Sequence, residues 1–406
     1  MNLDSVYQSL QIANNSKLVL VVMDGLGDIA TESTQFRTPL EAAKTPNLDK
    51  LAKRSALGRM IPVAPGITPG SGPGHLGLFG YDPLEFDVGR GVIEALGLGL
   101  DLKAGDVAAR ANFCSLDQDG LVTDRRAGRI DTKICEKQCD LLASKIKKID
   151  DVEIVIRAGK GHRFVVIFRG PGMEGPLTNT DPGHEGKPIQ TAQPVTKNAK
   201  SSKTAKIIAA FYKQALPLLK DCKPANGFLL RGIAHQPDIP TFQQRYGLKA
   251  AAIATYPMYK GLAQLVGMTK IEGPSTIKEE FDAAVDSLKI YDFVFVHIKI
   301  TDMAGEDGNF ELKVKGIEET DAALATLLKH KPDVIAITGD HSTPVPVKGH
   351  SWHPQPVMIT SAISGWDGQE RFNERAANLG SLGVFDAKYL IRHMQANAQR
   401  LDKFGA

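Results

Sequence analysis

Cysteine is scarce in this chain of 406 residues: Cys114, Cys135, Cys139 and Cys222 lack the paired CxxC spacing of a zinc site. Cys135 and Cys139 fall one turn apart if their segment is helical, and all four are read as reduced thiols without catalytic duty. No apolar run is long enough to cross a bilayer, and residues 1–17 have neither the basic start nor the apolar stretch of a secretory signal. The expectation is a cytoplasmic protein with no membrane partner. An excess of one charge is also missing. Lysine and arginine total 49 against 46 aspartates and glutamates, a net charge of +3, which argues against a nucleic-acid partner but leaves room for local basic pockets. There is no internal repeat. The one GxGxxG match, Gly170-Pro-Gly-Met-Glu-Gly175, is followed by Pro176, Asn179, Pro182 and Gly183 rather than by the helix that a dinucleotide site requires.

What remains is an ordinary globular composition, 42% hydrophobic and 23% charged, with enough chain for a full core and a second domain. Residues 18–23 form a continuous apolar run, as in a strand buried on both faces of a parallel sheet. Thr45 is placed to cap a helix that begins at Pro46. Late in the chain, 281–288 reads as a helix, 293–300 as a strand, 312–330 as a long helix and 334–338 as a strand. The middle differs in texture, with short β-rich runs at 152–156 and 164–168 and a Gly/Pro/Thr/Asn-rich stretch, 170–200, read as a long surface loop. These features predict an α/β sheet domain with helices on both faces, built from 1–102 and 268–406. A smaller α+β domain, 103–267, interrupts it, with linkers near 97–105 and 266–276.

The chemistry-bearing residues avoid this middle and gather after the expected strands, where open α/β sheets place their ligand sites. Asp24 follows the first strand, with Gly25 and Gly27 allowing a sharp turn. Asp302 follows the run 293–300, which carries His297 and Lys299, and leads into an acidic loop with Glu306 and Asp307. Asp340 and His341 follow 334–338, with His350 and His353 close behind, a mixed oxygen and nitrogen donor set suited to Mn²⁺, Zn²⁺ or a related ion. Ser71 lies in the loop Thr68-Pro-Gly-Ser-Gly-Pro-Gly-His75, whose bare backbone would let a phosphate approach its N–H groups. No Ser–His–Asp order or nucleophile elbow surrounds Ser71, so metal activation of its hydroxyl is the better candidate. His75 could orient a ligand or make a structural hydrogen bond. The middle segment supplies cations instead: Arg125, Arg126 and Arg129, His162 and Arg163, Arg231 and Lys260 suggest an anionic small-molecule substrate.

At Met-Asp-Gly-Leu-Gly 23–27, Thr-Pro-Leu-Glu-Ala-Ala-Lys-Thr-Pro-Asn-Leu-Asp 38–49, Thr-Pro-Gly-Ser-Gly-Pro-Gly-His-Leu 68–76 and Phe-Gly-Tyr-Asp-Pro 79–83, the chain resembles a known family. Gly-Arg-Gly 89–91, Asp-Arg-Arg-Ala-Gly-Arg 124–129, Thr-Asp-x-Ala-Gly 301–305 and Gly-Asp-His-Ser-Thr-Pro 339–344 continue the likeness over nearly the whole length. The family is the archaeal-type 2,3-bisphosphoglycerate-independent phosphoglycerate mutases of the alkaline phosphatase superfamily. The resemblance implies an alkaline-phosphatase-like fold and an isomerase of glycolysis and gluconeogenesis that interconverts 3-phosphoglycerate and 2-phosphoglycerate. It further implies a phosphoserine intermediate on Ser71, two divalent metals, and no need for 2,3-bisphosphoglycerate. Asp24, Ser71, Asp340 and His341 would surround one ion, and Asp302, Glu306 and His350 the other. His75, Arg125, Arg126, Arg163, Arg231 and Lys260 would contact a small phosphorylated carboxylate.

Position 306 departs from the family pattern, which has histidine there. A carboxylate is the harder ligand, so Mn²⁺ or Mg²⁺ is favoured over Zn²⁺ or Co²⁺. Another member of the superfamily stays open as an alternative: a phosphatase, a phosphopentomutase-like enzyme or a homoserine-kinase-like enzyme. So does a catalytically silent metal-binding protein, and the oligomeric state is left open.

Overall fold

The computed structural model describes residues 3–86 and 88–405. They divide into two compact units, one from Met1–Asp87 with Ile239–Ala406 and one from Val88–Asp238.

The first unit is built on an eight-stranded sheet. Leu18–Met23 runs through its middle and pairs in parallel with Phe293–Ile298 on one side and Val334–Thr338 on the other. Every residue of these three strands is buried, which is why their sequences are unbroken apolar runs rather than alternating ones. Val19, Val21 and Met23 point to a core shared with Phe281 and Ala284 of the helix Ile277–Ser287 and with Ile317, Leu324 and Leu327 of the helix Phe310–Lys329. Parallel strands Ala250–Ile253 and Thr269–Ile271 extend the sheet beyond Phe293–Ile298. On the other flank Gln355–Ser361 and Ser55–Ile61 add antiparallel strands, closed by the parallel edge strand Gly383–Asp386. The register Met23↔Ile298 and Val22↔Thr338 brings three chain segments out of the sheet side by side. Asp24, Lys299 and Gly339 therefore begin loops at one sheet edge.

The second unit holds a six-stranded sheet whose paired strands are all antiparallel. Alternation along Val107–Leu116 sends Val107, Ala109, Ala111 and Phe113 into a core with Cys135, Cys139 and Leu142 of the helix Thr132–Lys145 and Ile207 and Phe211 of the helix Ala199–Leu219. The same period of two turns Arg110 and Asn112 to the opposite face. In Arg163–Arg169 the core residues are Phe164, Val166 and Phe168, so Arg163 shares the face of Arg110.

The helix-flanked sheet interrupted by an α+β unit is the expected architecture, with several local differences. Residues 239–267 group with the first unit because Ala250–Ile253 pairs with Phe293–Ile298, and residues 88–102 group with the second because the helix Arg90–Gly97 packs on Val107–Leu116. The expected boundaries at 102/103 and 267/268 differ from this division accordingly. The expected strand 293–300 ends at Ile298, and the acidic loop is the helix Ile300–Glu306. Its apolar start continues the strand's composition, so periodicity carries no break, and only the tertiary bond from Thr301 Oγ1 to the Asp24 carbonyl (2.5 Å) marks it. Ser71 is the first residue of a helix, Ser71–Leu78, rather than part of a loop. Pro73 is tolerated in a first turn, and Gly74 permits the packing, since a Cβ there would lie 2.6 Å from the Asp340 carbonyl oxygen. The stretch 170–198 is irregular, as expected, but only partly a surface loop: Met173, Leu177 and Ala192 join the core and Thr180 is fully buried. All four cysteines are free. Among the described residues no helix is long and apolar enough to cross a membrane.

Candidate active site

Asp24, Asp340 and His341 lie where Leu18–Met23 and Val334–Thr338 end, and all three are fully buried. Gly25 takes φ +62°, and its missing side chain leaves room for Thr343, whose Oγ1 would stand 2.4 Å from a Cβ. The Gly25 amide donates to Asp340 Oδ1 at 3.0 Å, joining the two ligand loops. Ser71 Oγ is 3.1 Å from His341 Nε2, and Asp24 Oδ1 and Asp340 Oδ2 are 3.4 and 3.2 Å from the same nitrogen. Ser71 thus faces this cluster from a helix N-terminus, where unpaired N–H groups favour an incoming anion.

The proton positions follow from the partners. Thr343 has one hydroxyl proton, and it goes to the Asp302 carboxylate (Oγ1 to Oδ1, 2.7 Å), so Thr343 Oγ1 must accept from His341 Nδ1 at 3.1 Å. Similarly, His350 Nδ1 donates to the Pro69 carbonyl at 2.9 Å. His341 therefore turns an Nε2 lone pair toward Asp24 and Asp340, and His350 places its Nε2 3.6 Å from Asp302 Oδ1. Burial pushes His341 down, against the pull of Asp340 and Asp24, which keeps that ring neutral. Lone pairs facing carboxylate oxygens repel unless a cation lies between them. Asp24 Oδ1 and Asp340 Oδ2 also have no hydrogen-bond donor although they are buried. The donor atoms of Asp24, Asp340 and His341 lie within 4.8 Å of one another, as do those of Asp302, His341 and His350. Two adjoining sets of hard and borderline ligands fit divalent cations, with His341 common to both.

Sequence reasoning passed over several neighbours. Lys299 Nζ stands between the clusters, 2.8 Å from Asp24 Oδ2 and 2.5 Å from Asp302 Oδ2. Burial works against Asp24's charge, yet Lys299, His297 and His341 hold its carboxyl well below the usual range. Tyr259 donates its hydroxyl to Asp24 Oδ2 and stacks on the buried His297 at 3.7 Å between ring centroids. Lys260, the expected substrate contact, turns away to Glu272 at 2.5 Å. The usable signal was helix phase: Tyr259 is a buried position of the amphipathic helix Pro257–Leu265, and its neighbour therefore points elsewhere. His75 is fully buried. Its Nδ1 donates to the Ser71 carbonyl (2.9 Å), so the nearby Asp340 Oδ2 at 3.1 Å remains without a bond from it. Glu306 shares a helix face with Asp302, four residues apart, and reaches 3.9 Å from His350 Nε2 at the rim, its side chain 56% exposed.

In the second unit, Arg125 grips Asp181 with two bonds of 2.8 and 2.9 Å, and Arg231 lies 3.7 Å from the same carboxylate. Arg126 is exposed, and Arg163 begins its strand beside Arg110. Burial, then Arg163, Arg90 and Arg231, push Arg110 down to about 10, with Glu94 alone opposing. Burial and the charges of Arg163, Arg126, Arg110 and Arg129 push His162 down to about 4.

Residues 52–226 match the family model described as 2,3-bisphosphoglycerate-independent phosphoglycerate mutase. A protein of Thermotoga sp. (strain RQ2) named "Probable 2,3-bisphosphoglycerate-independent phosphoglycerate mutase" is 51% identical over 96% of both chains. One of the same name from Aquifex aeolicus (strain VF5) is 48% identical over 99% of this chain and 100% of its own. Among solved structures, the chain is similar to a cofactor-independent phosphoglycerate mutase from Thermoplasma acidophilum, with TM-score 0.72 and 32% identity over 94% of this chain and 100% of that one. A protein from Pyrococcus horikoshii superposes with TM-score 0.81 at 33% identity, covering 98% of this chain and 100% of that chain.

Proposed function

Because this chain belongs to the 2,3-bisphosphoglycerate-independent phosphoglycerate mutase family and its activity is the interconversion of 3-phosphoglycerate and 2-phosphoglycerate, we propose that Ser71 carries the phosphoryl group between the two hydroxyls. The observation behind this is the position of Ser71 Oγ at a helix N-terminus, 3.1 Å from His341 Nε2 and facing the paired acids Asp24 and Asp340. Ser71 Oγ forms a bond to phosphorus as the bond to the glycerate 3-oxygen breaks. The proton given up by Ser71 balances the one taken by that oxygen. In the second transfer the 2-hydroxyl attacks the phosphoserine and gives its proton back, so no water is consumed.

Two divalent ions, one held by Asp24, Asp340 and His341 and the other by Asp302 and His350 with Glu306 at the rim, would activate the Ser71 hydroxyl and neutralise charge on the phosphoryl oxygens. The oxygen-rich set with Glu306 favours Mn²⁺ or Mg²⁺ over Zn²⁺. The N–H groups opening Ser71–Leu78 receive the phosphoryl oxygens, and His75 fixes that turn through the Ser71 carbonyl. Arg125, Arg126, Arg163 and Arg231 are assigned to the substrate's carboxylate and phosphate. Lys260, expected beside them, is held by Glu272. The glycolytic role and cytoplasmic setting rest on family membership.

The test is conversion of 3-phosphoglycerate by metal-free protein resupplied with Mn²⁺, without bisphosphoglycerate, while released phosphate is followed. Conversion without phosphate release, lost in Ser71→Ala with the fold intact, is expected. Retained conversion in that variant would refute the role of Ser71.

A further inference from the structure

One lysine in the first unit is fully buried and takes no part in the chemistry above. Lys313 lies in the first turn of the helix Phe310–Lys329, and its Nζ has three acceptors: Asp28 Oδ2 at 2.8 Å, the Thr343 carbonyl at 2.9 Å and the Gly27 carbonyl at 3.4 Å. Asp28 is equally enclosed. Its carboxylate accepts the Val345 amide at 3.1 and 3.3 Å, and its own amide donates to Glu374 at 3.2 Å. A single ammonium thus ties the loop that follows Asp24 to the loop that follows Asp340 and His341. The tie to the second loop is made at Thr343, the residue whose hydroxyl orients both His341 and Asp302.

We propose that Lys313 is a positioning residue for the metal centre, a clamp that holds the two ligand loops at the spacing divalent cations need. This rests on the metal reading given above. A buried lysine is costly, and an apolar side chain of similar volume would fill the same space. What such a side chain could not do is bind two carbonyls on different loops at once. A shift of a few tenths of an ångström in either loop changes the separation of Asp24 from Asp340 and tilts His341 through Thr343. Residues that orient metal ligands from behind commonly change affinity about 10–100-fold when removed.

The test uses the full metal-free chain as wild type, Lys313→Met, and the double variant Asp28→Asn/Lys313→Met. Mn²⁺ binding is followed by paramagnetic resonance well below the Tm, together with thermal unfolding and amide hydrogen exchange. Lys313→Met leaves Asp28 unpaired, so its Tm falls and its Mn²⁺ affinity drops about 10–100-fold. The double variant removes the stranded charge and regains Tm, but it still lacks the clamp. Its affinity stays low, and exchange rises in segments 25–28 and 341–345 together. Recovery of affinity along with Tm would overturn the clamp and leave only a buried ion pair. If wild type itself bound no Mn²⁺, the metal reading would fail by itself. The clamp would then stand or fall on exchange: unchanged protection of either loop in Lys313→Met overturns it.

Discussion

The two units carry opposite imbalances of charge. Around Ser71 the first unit buries Asp24, Asp302 and Asp340 with neutral imidazole, and Lys299 is the one ammonium bonded to these acids among the described residues. On one sheet face the second unit sets Arg110 and Arg163, within the field of Arg90 and Arg231, and Glu94 pulls Arg110 the other way. The second arrangement costs folding energy, as the lowered Arg110 records, whereas in the first Lys299 and the histidines hold the Asp24 carboxyl below its usual range. A buried array of mostly like charge is a place where a ligand of the other sign gains more than water offers. The first unit asks for cations and the second for an anion.

The largest expected effect breaks the first half of this comparison. Asp340→Asn keeps an oxygen for the Gly25 amide but removes a carboxylate that His341 and His75 hold below its usual range against burial and Asp24, so the metal-free protein should lose about 1 kcal/mol while mutase activity falls on the order of 10⁴-fold. Calorimetry of the metal-free form beside an activity assay checks it; a gain of stability would show that burial and the repulsion with Asp24 outweigh the two histidines. The mirror experiment is Arg110→Met. Here kcat/KM should fall about 10–100-fold, mainly through KM, with the Tm unchanged or raised, because a buried cation crowded by like charges is removed. A falling Tm with normal KM would make Arg110 structural.

Smaller still is the response of His162. Its depressed value of about 4 means that the unfolded chain takes up a proton below about pH 6.5 and the fold does not. The stability it contributes is therefore complete above pH 6.5 and lost as pH falls from there toward 4, on the order of 3 kcal/mol in all. Its imidazole resonance should not titrate between pH 7 and 5, and saturating 3-phosphoglycerate should move its pKa upward by offsetting the arginines. Smallest is Glu306→His at the rim, expected to shift the metal preference a few-fold toward Zn²⁺ in activity titrations. An unchanged preference would remove Glu306 from the donor set.

Much of this was legible in the sequence where burial is symmetrical. The runs at 18–23 and 334–338 are apolar throughout because both faces are covered, and their ends locate Asp24, Asp340 and His341. Legibility failed where an apolar run changes its geometry without changing composition, as at Ile298–Lys299, and where glycine and proline read as a loop although tertiary packing holds Ser71 in a helix. It failed again for Tyr259, Lys299 and Thr343. Each acts by touching another functional side chain across the fold, and no spacing in one dimension records that. The arginine face was half visible: the cations were apparent, but the strand phase that puts Arg110 with Arg163 was not followed.

The central strand has one more consequence. Leu18 pairs with Phe293 and Val334, so the middle of the sheet is synthesised long before either of its neighbours. Throughout most of translation six apolar residues wait for partners that do not yet exist, a long-range closure that slows folding and exposes a sticky segment. Ser71, the proposed nucleophile, shares that wait. Until the residues around 340 have left the ribosome, the proposed nucleophile lacks Asp340 and His341, and the site is complete only once both have emerged.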